Sequence, residues 1–158
     1  MNTANVLKLL AAVTLPLIVG GVSGFLTAEA IPGWYATLNK PFFNPPNWLF
    51  GPVWTLLYIL MGVSFYMIWT GEAHALKNKA MLVFGVQLFL NFWWSIIFFY
   101  FQRMDVALVE IGLMWASILW MILVFKDIKP VAGYLQIPYL CWVSFATLLN
   151  ASLWWLNR

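Results

Sequence analysis

Five apolar stretches, each about twenty residues long, run through this sequence from one end to the other. A helix of about 20 mostly apolar residues is long enough to cross the hydrocarbon core of a bilayer. Lipid cannot hydrogen-bond to a peptide group, so segments that span a membrane are helices or the strands of closed barrels. Barrel strands alternate apolar and polar residues, and this sequence shows no such alternation. We therefore predict an all-α integral membrane protein, a five-transmembrane-helix bundle. The predicted spans cover residues 6–28, 48–70, 80–101, 106–125 and 131–155.

Composition excludes the other common classes of protein. Of the 158 residues, 64% are hydrophobic and 8% are charged, whereas soluble domains are about 45–50% apolar and about 25% charged. A net charge of +3 is too small for a surface that tracks nucleic-acid phosphates, so the expected partner is the lipid bilayer. A single cysteine, Cys141, excludes an internal disulfide and a cysteine-based zinc site, and no metal site is predicted. The length fits one domain, residues 1–158.

Lysine and arginine residues are unevenly shared between the two sides of the predicted bundle. This bias favours an N-terminus inside and a C-terminus outside. The first side carries Lys8, Lys77, Lys79, Lys126 and Lys129, and the second carries Lys40, Arg103 and Arg158. The first span has an alternative interpretation as a signal peptide ending at Ala28-Glu29-Ala30, but its apolar run is long for one, so we favour a span.

The only long connection, residues 29–47, is rich in proline and aromatic residues. Proline fixes φ, and long ordered loops in compact domains are usually lids or binding segments. We predict a structured first loop that acts as a lid over one end of the bundle, the alternative being a segment lying among the lipid headgroups. The second helix begins either near Asn47, as a cap, or at Gly51-Pro52. The stiffening and apolar residues of the loop are Pro32, Trp34, Tyr35, Leu38, Pro41, Phe42, Phe43, Pro45 and Pro46.

Of the eleven tryptophans, all but Trp34 of the first loop fall into two groups by their depth in the predicted spans. Tryptophans near span ends are typical of the aromatic belts at membrane interfaces. Deeper indoles either pack the bundle or form flat walls for a planar aromatic ligand, each with one N–H donor. The first group contains Trp48, Trp69, Trp154 and Trp155. The second contains Trp54, Trp93, Trp94, Trp115, Trp120 and Trp142.

Polar and small residues recur at helical spacing in three spans. In the third span Gln87, Asn91 and Ser95 share one helix face, as interhelical hydrogen-bonding groups or as a row facing a ligand. A second line, in the fifth span, contains Pro138, Trp142, Ala146 and Asn150, and in the second span Trp54 and Tyr58 lie one turn apart. The motifs Gly20-x-x-x-Gly24 and Gly112-x-x-x-Ala116 predict close helix approach, within one bundle or between two.

Glu110 is an acidic residue about one turn inside the fourth predicted span. A carboxylate at this depth is costly unless it is paired, protonated or close to the interface. We favour a structural tie to loop groups or to Arg103 over a role in proton coupling.

Longer motifs resemble a known family. The stretch Gly33-Trp-Tyr-x-x-Leu-x-Lys-Pro-x-x-x-Pro-Pro-x-Trp48, followed by Gly51-Pro-Val-Trp-Thr-x-x-Tyr58, resembles the TspO/MBR family. This family includes tryptophan-rich sensory proteins and the translocator protein, or peripheral-type benzodiazepine receptor, of animals. Gln87-Leu-x-Leu-Asn91-x-x-Trp94 and Pro138-Tyr-Leu-x-Trp142-x-x-Phe-Ala-Thr147-x-x-Asn150 fit as well, so the resemblance covers nearly the whole chain.

The resemblance implies a ligand pocket within the bundle. Residues matching Trp54, Asn91, Trp142 and Ala146 line it in the family, and Trp34 and Leu38 would reach it from the lid. Phe43 and Val106 stand where related animal sequences carry tryptophan, so ligand preference would differ. The predicted ligand-binding residues are Trp34, Leu38, Trp54, Tyr58, Gln87, Asn91, Trp94, Trp142 and Ala146. The resemblance also implies a homodimer. A helical protein without a transit peptide fits a bacterial cell membrane, and the resemblance leaves the mitochondrial outer membrane as the alternative.

The functional prediction is a binding and sensing protein for tetrapyrroles. The resemblance implies protoporphyrin IX and haem as ligands rather than required cofactors, with benzodiazepine-site drugs and sterols as further hydrophobic partners. Residues 148–158 lack a tyrosine between leucine and arginine, so the cholesterol-recognition pattern of animal members is absent. No nucleophile–base pair points to a conventional enzyme. The alternatives are a transporter of porphyrins or sterols, and light- and oxygen-dependent porphyrin degradation with Trp54 and Trp142 as oxidisable indoles.

Overall fold

The computed structural model describes residues 2–158, and all regular secondary structure in that range is helical. Five helical segments are long and apolar enough to cross a bilayer, which confirms the predicted five-helix membrane fold. The α-helices are α1 (Thr3–Thr27), α2 (Asn47–Trp69), α3 (Lys77–Ser95), α4 (Met104–Ile128), α5 (Pro130–Tyr134) and α6 (Ile137–Leu156). The short helix α5 and helix α6 together form the fifth spanning segment.

The first helical segment is longer than its predicted span. After α1 the chain continues as a 3₁₀ turn, Ala28–Ala30, and a π-helical turn, Ile31–Tyr35. Pro32 has no backbone N–H to donate, so a wider local hydrogen-bonding pattern tolerates it where a regular α-helix would be broken. Residues 29–37 of the predicted loop are therefore helical, and only the part from residue 38 to Pro46 is irregular.

Two further helix ends differ in detail from the sequence prediction. Helix α2 begins at Asn47, after Pro46 in an extended conformation, so Gly51-Pro52 lies inside the helix. Helix α3 continues into a second π-helical turn, Ile96–Tyr100. The short connection to α4 includes Gln102, whose φ of 56° lies in the left-handed region and reverses the chain.

Helix α4 lies at the centre of the bundle and packs against α3, α5 and α6, while α1 packs mainly on α2 and is the helix most exposed to lipid. The approach of α1 to α2 is closest at Gly62, where a Cβ atom would overlap the Val13 Cα and the Ala12 carbonyl oxygen. The fully buried core is formed by Met61, Ile68, Ile111, Met114, Ile118, Met121, Phe125 and Tyr139.

Hydrogen bonds cross between the helices at several depths. Ser64 Oγ on α2 donates to the Ala132 carbonyl of α5 at 2.6 Å. Trp115 Nε1 on α4 donates to Ser144 Oγ on α6 at 2.8 Å. Because lipid tails are as apolar as leucine side chains, such bonds and close packing, rather than apolar burial, favour helix association in a membrane.

The irregular segment from residue 38 to Pro46, which we call the lid, is held against the end of α6. The Asn157 side chain accepts a hydrogen bond from the Asn39 backbone N–H at 2.8 Å and donates one to the Asn39 carbonyl at 2.9 Å. The Phe43 ring contacts Phe145 edge to face, with centroids 6.2 Å apart. These contacts place the first connection over the end of the bundle at which α6 ends.

Replacement of Gly62 by alanine is expected to destabilise the bundle. The added methyl group meets the backbone of α1, and overpacking of this kind costs about 1–3 kcal/mol. The matched control is Gly85→Ala on the exposed face of α3, where a Cβ atom has nothing within 4 Å. Thermal unfolding in detergent should therefore show a lower Tm for Gly62→Ala and an unchanged or higher Tm for Gly85→Ala, since alanine favours helix. Equal effects of both substitutions would contradict a close α1–α2 contact.

Candidate ligand-binding cavity

A cavity of about 310 Å³ lies inside the bundle near the end that the lid covers. Its walls come from α1 and its extension to Tyr35, the N-terminal half of α2, the C-terminal end of α3 with the following π turn, and α6. The central helix α4 contributes none of the residues that line it. The size lies at the lower end of the range for small-molecule sites, about 300–1,000 Å³.

Three indoles form much of the cavity wall, each stacked or tilted against a neighbouring ring. Trp54 on α2 stacks on Tyr58, with centroids 5.6 Å apart and planes at 26°. Trp94 stacks on Phe98 at 5.5 Å, and Trp142 is tilted against Phe145 at 5.5 Å. Since these contacts fix the rings, the cavity has flat, preformed aromatic surfaces.

The wall from α1 is made of small residues. Gly20 faces the Tyr58 ring, which occupies the space that a Cβ atom would need, whereas a Cβ atom at Gly21 or Gly24 would have nothing within 4 Å. The predicted Gly20-x-x-x-Gly24 motif thus lines the cavity within one bundle. In α4, by contrast, Gly112 and Ala116 lie on the outer, exposed face.

The cavity opens sideways between α1 and α2. Gly21 and Gly24 on α1, and Gly51 and Thr55 on α2, line the cavity and are also exposed at the surface of the bundle. These residues lie within predicted membrane spans, so the opening faces lipid. A hydrophobic ligand could therefore reach the cavity from the bilayer.

One fully buried donor among the cavity-lining residues has no protein partner. Trp142 Nε1 is buried and makes no hydrogen bond, whereas Trp94 Nε1 donates to Asn150 Oδ1 at 3.2 Å. Buried N–H groups are nearly always paired, so an unpaired indole beside a cavity is suited to an acceptor atom of a ligand. Ala146, one turn from Trp142 on α6, also lines the cavity.

The nine predicted ligand-binding residues separate into two groups. Five line the cavity, namely Trp54, Tyr58, Trp94, Trp142 and Ala146. The other four, Trp34, Leu38, Gln87 and Asn91, do not line it. Trp34 packs edge to face on Phe98 at 5.7 Å, and Leu38 packs on the hydrophobic core.

Asn91 joins three helices behind the cavity wall. Its Oδ1 accepts a hydrogen bond from the Tyr58 hydroxyl of α2 at 2.7 Å, and its Nδ2 donates to the Tyr139 hydroxyl of α6 at 3.0 Å. The polar residues on this face of α3 were expected either to join helices or to face a ligand. Asn91 joins helices by hydrogen bonds, whereas Ser95 lines the cavity, where it can face a ligand. Gln87 is fully buried, and neither amide atom has a partner.

The structural tie expected for Glu110 is wrong. Arg103 instead makes two hydrogen bonds to the Asp105 carboxylate, at 2.9 and 2.7 Å. Both oxygens of the Glu110 side chain are buried without a partner. Arg103 pairs with Asp105 because the two residues lie close to each other at the start of α4. Their side chains stay partly exposed there, so the ion pair forms without a large desolvation cost.

Sequence reasoning missed most of the α1 wall. Gly20, Ser23 and Thr27 recur every three or four residues and place one small or polar stripe on the side of α1 that lines the cavity, and Ile31 continues the lining beyond the end of α1. That spacing was available in the sequence, but it also predicts close helix packing. The aromatic residues Phe50, Phe98, Phe99 and Phe145 were missed as well, because many phenylalanines in these spans face lipid instead.

Comparison with known proteins places the chain among membrane proteins of one family. Residues 12–156 match the model of the TspO/MBR family. The chain is 44% identical over 155 residues to the tryptophan-rich protein TspO of Archaeoglobus fulgidus, covering 97% of this chain and 99% of the relative. It is 38% identical over 135 residues to the human translocator protein, covering 84% and 79%. The tryptophan-rich sensory protein of Cereibacter sphaeroides is 35% identical over 150 residues, covering 95% and 89%.

The Asn91→Ala variant should lose stability more than ligand affinity. It leaves the Tyr58 hydroxyl without its acceptor and the Tyr139 oxygen without its donor, and each unsatisfied buried group costs about 1–3 kcal/mol. The matched control is Asn78→Ala, an exposed asparagine on the same helix. Thermal unfolding in detergent should show a clear fall in Tm for Asn91→Ala alone. An unchanged Tm would mean that the three-helix junction contributes little.

Proposed function

This chain belongs to the TspO/MBR family of multi-pass membrane proteins, and we propose that it binds tetrapyrroles such as protoporphyrin IX and haem as part of a sensing function. Relatives carry the names sensory protein and translocator protein, which indicate sensing or transport at a membrane. The proposed tetrapyrrole rests on the shape and chemistry of the cavity. The proposed location is a bacterial cell membrane, with the mitochondrial outer membrane as the alternative.

The observation that supports this proposal best is a cavity with three indoles on its walls, Trp54, Trp94 and Trp142. A flat macrocycle that enters the cavity removes apolar surface from water or lipid headgroups. Each Å² of apolar surface removed from water contributes roughly 25 cal/mol to binding. Each well-placed aromatic contact adds about 0.5–1.5 kcal/mol. Flat rigid walls favour planar ligands over flexible chains, because a planar ligand contacts them without losing rotamer freedom.

The size and opening of the cavity set how such a ligand would lie. A volume of about 310 Å³ is small for a whole substituted macrocycle. The gap between α1 and α2 lets part of the ligand extend beyond the enclosed space. The unpaired Trp142 N–H would then orient a polar atom of the ligand inside the cavity.

Other hydrophobic partners follow from the same cavity. Sterols and benzodiazepine-site drugs are proposed as competing occupants, since mainly apolar walls with few polar groups do not select a single chemical class. A homodimer is proposed through the outer face of α4, where Gly112 and Ala116 are exposed and would allow a second helix to approach closely.

A second candidate function is light- and oxygen-dependent porphyrin degradation. It is supported by Trp54 and Trp142, which place oxidisable indoles beside any ligand in the cavity. Transport is a third candidate, supported by the lateral opening and by the name of the human relative. Porphyrin flux into liposomes that follows a gradient would favour transport over sensing.

Porphyrin affinity should depend on residues that line the cavity and not on similar residues elsewhere. Gly24→Leu fills the cavity, and Trp142→Phe removes the unpaired donor. Each should weaken protoporphyrin IX binding by about ten-fold or more, which corresponds to 1.4 kcal/mol. Titration followed by porphyrin absorbance of the protein in detergent measures this.

Two control variants make the test specific. Gly85→Leu adds the same side chain at another glycine with open space, and Trp93→Phe alters an indole that is 37% exposed on the outer surface. Both controls should bind like the wild type. Equal weakening by test and control variants, or none by any, would remove the cavity as the porphyrin site.

Degradation predicts a different result from binding. Under illumination in air, the wild type should consume bound porphyrin. The double variant Trp54→Phe/Trp142→Phe should react at least about ten-fold more slowly at saturating porphyrin, which corresponds to about 1.4 kcal/mol of activation free energy. Saturation separates turnover from affinity. Undiminished turnover in the double variant would show that these indoles take no part in the reaction.

A further inference from the structure

Glu110 is a buried carboxyl group for which neither the fold nor the cavity gives a partner. Its side chain is 8% exposed, and both oxygens are buried without a hydrogen bond. The other charged residues of α4, Asp105, Lys126 and Asp127, lie in its first or last turn. An ionisable residue inside a membrane bundle is costly and is usually functional.

No cationic side chain faces Glu110 from the elements packed against α4. Lys77 and Lys79 lie in the first turn of α3, and Lys79 contacts Trp120, ten residues or about 15 Å along α4 from Glu110. Arg103 pairs with Asp105. The remaining titratable groups on these elements are exposed Tyr100 in the π turn, exposed Tyr134 in α5, and Tyr139 and exposed Cys141 in α6.

Helix α6, which carries Tyr139, lies between this carboxyl group and the cavity. Glu110 is on α4, which packs against α6. The Tyr139 ring contacts Trp54 edge to face at 6.2 Å, and its hydroxyl accepts a hydrogen bond from Asn91, which in turn accepts one from Tyr58. Trp54 and Tyr58 both line the cavity. A charge on Glu110 would therefore act on the cavity from the neighbouring helix, because an apolar interior screens charge only weakly.

We propose that Glu110 is a proton-binding site inside the bundle, occupied at neutral pH, and that its proton keeps the surroundings of the cavity free of negative charge for a ligand that carries carboxylates. A carboxylate without a cation or hydrogen-bond donors cannot remain charged in an apolar interior at tolerable cost, so the group takes a proton from solvent. The second half rests on the proposed function, because protoporphyrin IX is the carboxylate-bearing ligand named there.

The proton itself can be tested without any ligand. Exposed aspartates and glutamates are ionised at neutral pH, so the infrared carbonyl band of a protonated carboxylic acid in the full-length protein should come from Glu110 alone. The band should shift when all glutamates carry ¹³C and should stay when only the aspartates do. It should vanish in Glu110→Gln and remain in Glu72→Gln, an exposed glutamate. The absence of a glutamate band in the wild type would overturn the inference, whether or not Glu110→Gln folds.

The link to the ligand needs a charged and an uncharged porphyrin. Between about pH 6 and about pH 9, where buried carboxyl groups lose their protons, wild-type affinity for protoporphyrin IX should fall roughly ten-fold, the scale of two charges about 10 Å apart in a protein. The dimethyl ester, which has no charge to repel, should change little. Glu110→Gln should bind both porphyrins alike across this range, and Glu72→Gln should behave like the wild type.

The outcomes separate this inference from the function on which it rests. The same pH-dependent fall in Glu110→Gln and in the wild type would overturn the role of Glu110 in ligand binding. Failure of both porphyrins to bind every variant would overturn the proposed function and, with it, the ligand half of the inference. The infrared band would still decide whether Glu110 holds a proton.

Discussion

The bundle depends on specific contacts between helices, because lipid gives little net gain for burying one apolar helix face against another. The junction at Asn91 is the clearest example, since one side chain uses its acceptor and a donor to join α2, α3 and α6. Such a bond in a membrane protein contributes on the order of 0.6–2 kcal/mol. Close backbone approach at Gly62 supplies the other kind of contact, with α1 lying directly on α2.

The same two kinds of contact shape the cavity. The Asn91 junction holds the Tyr58 ring in place, and that ring fills the space over Gly20 and supports Trp54 by stacking. Further along α1, Gly24 has no neighbour, so the space that a side chain would have filled becomes part of the cavity. Stability and binding are therefore separate at this site: Asn91 lies behind the wall and supports it, while the indoles and glycines form the surface that a ligand meets.

Several features of the site could be predicted from the sequence, and the reason others could not is physical. Trp54 and Tyr58 lie one turn apart on one helix, so their shared face follows from the helical repeat. The family resemblance predicts that Trp34 and Leu38 reach the cavity from the lid. The chain instead stays helical to Tyr35, so Ile31 and Tyr35 line the cavity and the lid closes the end of the bundle through α6. The spacing of Gly20 and Gly24 showed that two small residues share one helix face. It did not show that the Tyr58 ring lies next to Gly20 and open space next to Gly24.

By itself, the sequence determined that the protein is a bundle of five membrane-spanning helices, because the length and apolarity of each stretch leave a bilayer as its only suitable solvent. It also determined the family, through motifs that cover most of the chain. Only the tertiary structure decided which indoles surround the cavity, that Asn91 bonds to tyrosines rather than facing it, and that Glu110 has no partner. Membrane helices are apolar on nearly all sides, so periodicity shows which residues share a face but not whether that face meets lipid, another helix or an open space.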